Sequence, residues 1–306
     1  PIPGAALPGV LTSDDLLADA GRHYERLIIL GGGVIGMELA SVYAARGTRV
    51  TVLEALDRPL ANFDREISQN LKMILKKRGA DIHTGARVTQ IEGTPEGLLC
   101  AYTEKDAPQA VAGDAVLLAA GRRPNTEGLF GPGLDPQTNR GYLIVNDAFE
   151  TSLPGVYAIG DVTGGIQLAH AAFAQARVFA ALLCGETPSI RLDLVPSCVY
   201  TDPEIACVGL DEAAAKAQGR AVRTRKYVMG ANGKSVLTLQ ERGFIKAVLD
   251  AETDALLGAQ LMCAHATDMV SEFTLAVARG LTGKELGGII RPHPTFEEAA
   301  GELFAE

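Results

Sequence analysis

The stretch "LIILGGGVIG" at residues 27–36 decides the fold. Its four apolar residues have no polar alternation and are too few for a helix, so they read as a strand buried on both faces. The run empties into glycines, and "VIGMELASVYAARG" after it has helical texture with Gly47 as its stop. A strand that passes to a helix through glycines offers the unpaired N–H groups of the first helical turn, a place for phosphate. Gly31, Gly33 and Gly36 occupy the GxGxxG positions, with Gly32, Val34 and Ile35 between them. The first glycine permits a tight turn, the second lets a pyrophosphate approach the backbone, and the third lets helix and strand pack closely. The next strand, "RVTVLE", ends at Glu54, 18 positions after Gly36 (54 − 36). A carboxylate there accepts hydrogen bonds from a ribose 2′-OH and repels a 2′-phosphate, so the expected cofactor is NAD rather than NADP.

Working outward, residues 1–10 read as a Pro- and Gly-rich linker, and Thr12 to Asp15 offer caps for a short helix over "DDLLADA". "DREISQNLKMILKKRG" is an amphipathic helix: Asp64 caps it, Ile67, Leu71, Ile74 and Leu75 line one face, and Lys76, Lys77 and Arg78 sit at the negative end of the dipole. Short strands follow at "ARVTQIEG", "GLLCAYTE" and "AVLLAAG". Strand–helix–strand–helix and then a meander make a mononucleotide-binding unit with an antiparallel insertion. "GVYAIGD" reads as another strand, followed by the helix "LAHAAFAQARVFAALLCG". From Val195 the texture changes to strands at "PSCVYTDPEIACVGL", "AVRTRKYVMG", "GFIKAVLD" and "LLGAQLMC", with helices at "DEAAAKAQG", "ATDMVSEFTLAVARG" and the C-terminus. That is a separate α+β domain with an antiparallel sheet.

Composition excludes several partners. The net charge of −9 has no basic block within it, which argues against nucleic acid. No apolar stretch approaches the roughly 20 residues of a membrane span. The five cysteines, Cys100, Cys184, Cys198, Cys207 and Cys263, are odd in number and scattered, which fits a reducing compartment rather than a disulfide framework. The first 21 residues lack the basic and apolar regions of a signal peptide. No metal site is expected.

Two further motifs carry chemistry. In "TSLPGVYAIGDV", residues 151–162, Asp161 reads either as a ligand for a sugar-like hydroxyl or as a cap for the helix that begins near Leu168. In "HPTFEEA", Thr295 and Glu298 have capping-box spacing, which leaves His293 as a loop residue before Pro.

At "GGGVIGMELA", "LDRPLANFDREI", "AGRRPNT", "TSLPGVYAIGDV", "LAHAAFAQAR", "VYTDPEIACVGL" and "RPHPTFEEA" the chain resembles the flavin-dependent pyridine nucleotide–disulfide oxidoreductases, and within them the dihydrolipoamide dehydrogenases, over essentially all 306 residues. The resemblance implies an α/β fold: a linker at 1–21, a Rossmann-like NAD domain at 22–146, part of an FAD domain at 147–192, and an α+β dimerisation domain at 193–306. It puts Glu38 near the nicotinamide and Val88 and Gly121 along the NAD. It makes Asp161 a ligand of the FAD ribityl chain and places Gln167, Leu168, Ala169 and His170 near the pyrimidine edge of the flavin. It assigns His293 proton transfer at a dithiol, across a homodimer interface, with Glu298 as its orienting partner. For His293 to point out of its own subunit the His293–Pro294 bond is expected to be cis.

The family also uses a first GxGxxG and a redox-active CxxxxC, and neither occurs in these 306 residues; Cys198 and Cys207, nine apart (207 − 198), have the wrong spacing. The expectation is therefore a portion of a cytoplasmic or mitochondrial-matrix enzyme that lacks an N-terminal FAD region, does not turn over alone, and in full oxidises dihydrolipoamide or a lipoyl-carrying protein. The alternative is a non-catalytic NAD-binding and dimerisation module. Glutathione reductase fits less well because of Glu54, and mercuric reductase or the soluble transhydrogenase because of His293.

Overall fold

The computed structural model describes residues 2–19, 21–240 and 242–305. Ala20, the last residue of the expected first helix, and Pro1 and Glu306, the ends of the expected first and last domains, lie outside the described residues. The chain forms two compact units, Pro1–Gly121 together with Cys198–Glu306, and Arg122–Ser197.

The first unit begins with β1 (Val10–Leu11), α1 (Ser13–Ala18), β2 (Arg26–Leu30), α2 (Val34–Ala45), β3 (Arg49–Glu54), α3 (Arg65–Lys77), β4 (Asp81–Thr84), β5 (Arg87–Thr94), β6 (Gly97–Glu104), β7 (Ala107–Gly113) and β8 (Ala115–Leu118). Five strands form a parallel sheet in the order β1-β8-β2-β3-β4, and β5-β6-β7 form a separate antiparallel sheet. The buried run predicted at 27–30 is the central strand. Leu27 and Ile29 share a core with Met37, Ala40, Val52 and Leu71 from one side, while Ile28 and Leu30 join Ile91, Leu98 and Tyr102 from the other. Successive residues of a strand point to opposite faces, so a strand covered on both sides is apolar throughout. The chain steps from β2 to β3 to β4, then returns to lay β8 on the other side of β2. This reversal opens a crevice at the carboxyl ends of β2 and β8.

Two details differ from the sequence reading of this part. The stretch read as linker is tied to the fold: Val10 and Leu11 pair with β8, and the Pro3 carbonyl accepts a hydrogen bond from Ile91 N–H at 2.9 Å. β4 and β7 were not anticipated, because "DIHT" and "APQAVAG" lack the β-branched, apolar texture that marks a strand.

The same unit resumes at Cys198, within β11 (Ser197–Val199), and continues with β12 (Glu204–Gly209), α5 (Glu212–Ala217), β13 (Val222–Val228), α6 (Gly233–Leu237), β14 (Phe244–Asp250), β15 (Leu256–Cys263), α7 (Ala266–Arg279), α8 (Gly283–Gly287) and α9 (Glu298–Phe304). The sheet runs β11-β12-β15-β14-β13, with its long pairs antiparallel. The stretch read as one strand at 196–210 is two, broken at the cis Asp202–Pro203 bond. Val199, Ile205, Phe244 and Met262 belong to the same core as Ile67 and Leu71 of α3, so this sheet and the parallel one share an apolar interior.

The second unit holds the small antiparallel pair β9 (Thr138–Asn139) and β10 (Tyr142–Leu143), and α4 (Ala169–Leu183). "GVYAIGD" is not a strand. It makes a single bridge, Tyr157 to Glu150, and then a 3-10 turn at Gly160–Thr163. Apolar texture alone does not make a strand; a ladder of partners is needed, and the described residues of this unit give the segment one bridge and no ladder.

Candidate functional site

Gly31 leaves β2 at φ +112°, where a Cβ would sit 2.5 Å from the Ala119 carbonyl oxygen at the end of β8. Gly36, in the first turn of α2, would place a Cβ 2.0 Å from the Gly31 carbonyl oxygen. Gly36 is thus required by the packing of the turn on itself, and Gly31 by the close approach of the chain that follows β8. Gly33 is different: its φ is −72° and a Cβ there would meet nothing within 4 Å. It is the N-cap of α2, with no side chain bonded to the first-turn N–H groups. The space in front of Gly33 and the open helix end are what a pyrophosphate needs. Val34 and Ile35 begin the helix, and Gly121, at φ +123° with open space before it, follows β8 at the same edge. Val88 is half-buried on β5.

Glu54 ends β3 beside this loop and is 8% exposed. Its Oε2 accepts the Gly32 N–H at 2.5 Å and its Oε1 accepts the Leu56 N–H at 2.6 Å. A pocket of about 140 Å³ opens here, lined by Gly32, Gly33, Glu54, Leu56, Arg58 and Leu60 among others. Each carboxylate oxygen keeps a second lone pair for a sugar hydroxyl. Glu38, on α2, accepts the Tyr200 N–H at 2.8 Å, and burial pushes its pKa up, opposed by that bond. No local pattern marks Tyr200, whose contribution is a backbone N–H.

In the second unit, Gly160 N–H donates to Gln175 Oε1 at 2.6 Å, which fixes the turn carrying Asp161 against α4. Asp161 is exposed, and no hydrogen bond joins its carboxylate to another described residue. The N-terminus of α4, at Leu168, has no side-chain cap. Asp161 therefore does not cap this helix. A carboxylate and an open helix end fit a hydroxylated chain and an electron-rich ring. Gln167 donates to Tyr142 Oη at 3.0 Å and borders a cavity of about 610 Å³, also lined by Arg140, Tyr142, Ile144 and Thr163; Asp161 does not line it. Ala169 starts the helix and His170 Nε2 donates to the Pro196 carbonyl at 2.7 Å.

His293 lies on the first unit, and its bond to Pro294 is cis. Its side chain is 76% exposed, and Nδ1 is 2.8 Å from Glu298 Oε1. Glu298 Oε2 accepts the Thr295 N–H at 2.9 Å. Only half of the expected capping box forms. The Thr295 hydroxyl donates back to the Pro292 carbonyl at 2.8 Å instead of accepting from the helix, and α9 begins at Glu298 itself. Two residues that sequence reading missed hold this loop. Asn232 donates to the Thr295 carbonyl at 3.0 Å, and Arg291, its side chain 6% exposed, pairs with Glu272 of α7. No local pattern marks either; their partners are distant in sequence.

Among the described residues no group of His, Cys, Asp and Glu is placed to hold a metal, and no helix is long and apolar enough to cross a membrane.

A glycine-turned dinucleotide crevice on a sheet domain with a histidine–glutamate pair defines a class of nucleotide-linked oxidoreductases. The chain belongs to the pyridine nucleotide-disulphide oxidoreductase family: residues 1–176 match that family and residues 195–304 match its dimerisation domain. Dihydrolipoyl dehydrogenase of Bacillus subtilis (strain 168) is 39% identical over 98% of this chain, and the enzyme of the same name from Geobacillus stearothermophilus is 36% identical over 92%. The chain spans 64% and 60% of the lengths of these two relatives. The HOCl-induced flavoprotein disulfide reductase RclA from Escherichia coli superimposes with a TM-score of 0.91 at 33% identity, covering 99% of this chain and 70% of that one. LpdA from Mycobacterium tuberculosis does so at 0.87 and 29%, covering 97% and 64%. Enzymes of this family work with FAD and NAD(H).

Proposed function

We propose that the chain is the nucleotide-binding and acid–base portion of an NAD-linked flavoprotein disulfide oxidoreductase that oxidises a dithiol of the dihydrolipoamide type, free or carried on a protein. One observation carries this reading: His293 is exposed with Nδ1 engaged by Glu298, which leaves Nε2 as the ring nitrogen with no hydrogen bond to another described residue. A thiol gives up its proton only to a base within reach, and an imidazole held at its far nitrogen by a carboxylate offers its other nitrogen as that base. FAD, when bound, carries the electron pair between the thiols and the nicotinamide. The protein's own residues do the rest. The 31–36 loop and Glu54 bind NAD, Asp161 with residues 167–170 holds the ribityl chain and ring edge of FAD, and His293 takes and returns the thiol proton.

In this reading residues 22–146 are the NAD domain, 147–192 belong to the flavin domain, and 193–306 pair two copies so that each His293 serves the other's thiols. The match to a dimerisation domain supports the pairing. None of the five cysteines has CxxxxC spacing, so these 306 residues by themselves bind NAD without turning over a dithiol. The test is a steady-state comparison on the full-length protein of dihydrolipoamide with NAD⁺ against glutathione with NADP⁺. Turnover of the first pair is expected; preference for the second would overturn the substrate and cofactor assignments.

A further inference from the structure

We infer that Lys246, far in sequence from the dinucleotide loop, positions the adenosine side of the NAD site by holding Asp64. This rests on the NAD reading above and adds to it a positioning residue on the C-terminal sheet.

Lys246 lies on β14 with its side chain 11% exposed, and its Nζ is 2.5 Å from Oδ2 of Asp64, whose side chain is 8% exposed. A charge this far from water persists only with a partner, so each residue fixes the other. Asp64 is the N-cap of α3, its Oδ1 accepting the Glu66 N–H at 2.8 Å. It also ends the loop, residues 55–63, whose Leu56, Arg58, Leu60 and Phe63 line the pocket beside Glu54 and Gly33. Leu60 sits in the left-handed region at φ +48°. A leucine stays there only when its surroundings hold it. Three bonds do so. The Leu60 N–H donates to the Gly32 carbonyl at 2.8 Å, and the Leu60 carbonyl accepts from the Phe63 N–H at 2.9 Å and from Ser68 Oγ, in the first turns of α3, at 3.3 Å.

The start of α3 thus sets the place of Leu60, Leu60 sets the place of the Gly32 peptide, and Lys246 anchors the start of α3 to the C-terminal sheet. Lys246 Nζ also lies 3.9 Å from Glu66 Oε2, a longer and looser contact, and the Lys226–Glu66 pair beside it is more exposed, with side chains 38% and 33% accessible, and is a weaker anchor. The far end of α3 is held separately: Arg78 Nη2 lies 2.6 Å from Asp202 Oδ2. That pair joins the same two sheets without touching the 55–63 loop, and serves as the control.

The experiment is calorimetric titration of the full-length protein with ADP-ribose, which carries the adenosine half and cannot reduce a flavin, with thermal unfolding measured in parallel. Lys246→Met is expected to weaken ADP-ribose by about 2- to 30-fold. Lys246→Arg should recover most of the loss, and Arg78→Ala should leave affinity within twofold. Asp64→Asn keeps a good N-cap but loses the charge pair, so it should behave like Lys246→Met and carries the test if that variant does not fold. The double variant should be no worse than the singles, as for two residues acting through one bond. Wild-type affinity in a folded Lys246→Met or Asp64→Asn variant overturns the inference. So does an equal loss in Arg78→Ala, which would mean general loosening. Failure of the unmutated protein to bind ADP-ribose overturns the NAD reading itself, and this inference with it.

Discussion

The carboxylate of Glu298 grips two groups at once, Nδ1 of His293 at 2.8 Å and the N–H of Thr295 at 2.9 Å. An ionised carboxylate only accepts, so Nδ1 carries a proton toward it and the lone pair of a neutral His293 lies on Nε2. The Thr295 N–H, and then the His293 ring, hold Glu298 below the usual carboxylate range. A lowered pKa means the stabilisation is complete above the ordinary value of 4.5 and is lost only as the pH falls through the folded value. Glu298 is therefore a fixed anion wherever the thiol chemistry operates. His293→Gln in the full-length protein is expected to slow dithiol oxidation by about 10²–10⁴-fold. It should leave flavin reduction by NADH intact, as followed by stopped-flow of the two half-reactions. Unchanged dithiol oxidation would remove His293 from the mechanism.

The glycine loop separates fold from binding. At Gly36 an added methyl meets the Gly31 carbonyl oxygen at 2.0 Å, whereas at Gly33 it meets nothing. Gly36→Ala is expected to cost about 1–3 kcal/mol of stability, as overpacking does. Gly33→Ala should melt like the unmutated protein yet bind NADH at least tenfold more weakly, because the methyl occupies the space assigned to the pyrophosphate. Thermal melts paired with NADH titrations check both. An unimpaired Gly33→Ala would show that the phosphates lie elsewhere.

Glu54 has two tasks, and mutation should expose both. Beyond any ribose contact it satisfies the N–H groups of Gly32 and Leu56, so Glu54→Ala orphans two backbone donors next to the loop. A loss of about 1–3 kcal/mol of stability per abandoned group is the scale to expect, less where water reaches in. The preference for NADH over NADPH should narrow by about 1–3 kcal/mol as well. Melting temperature and the two cofactor affinities are the measurements. Tighter binding of NADPH by the unmutated protein would contradict the assignment.

What was legible in the sequence was what local physics determines. Residues 27–36 and Glu54 declared the crevice because a two-face-buried strand, a glycine turn and an acid at a strand end each leave a signature within a few residues. The helix from Asp64 was legible for the same reason, through its cap and its apolar face. Contacts distant in sequence were not. Asn232 and Arg291, which hold the His293 loop, and Lys246, which holds Asp64, reach partners that no window of sequence contains. "GVYAIGD" failed differently: its texture is that of a strand, but pairing is a property of neighbours. Thr295 had the right spacing for a cap and spends its hydroxyl on the Pro292 carbonyl instead, a choice that spacing does not encode.

The last prediction concerns the thiols. Burial pushes Cys263 up to about 12 and Cys100 up to about 11, and Cys198 is raised by burial first and then by the nearby Glu204 and Asp268 carboxylates. Only the thiolate attacks a disulfide, so at pH 8 roughly one Cys263 in 10⁴ is competent even before access is considered. Cys184, at the exposed end of α4, has no such barrier to access. Titration of the native protein with a disulfide reagent at pH 8 should label Cys184 within minutes, while Cys100 and Cys263 react only after denaturation. Peptide mapping of the labelled sites decides it. Rapid native labelling of Cys263 would mean that the β12–β15 ladder opens readily, contrary to the full burial of Cys263 on β15. The predicted pattern leaves these thiols outside the reaction.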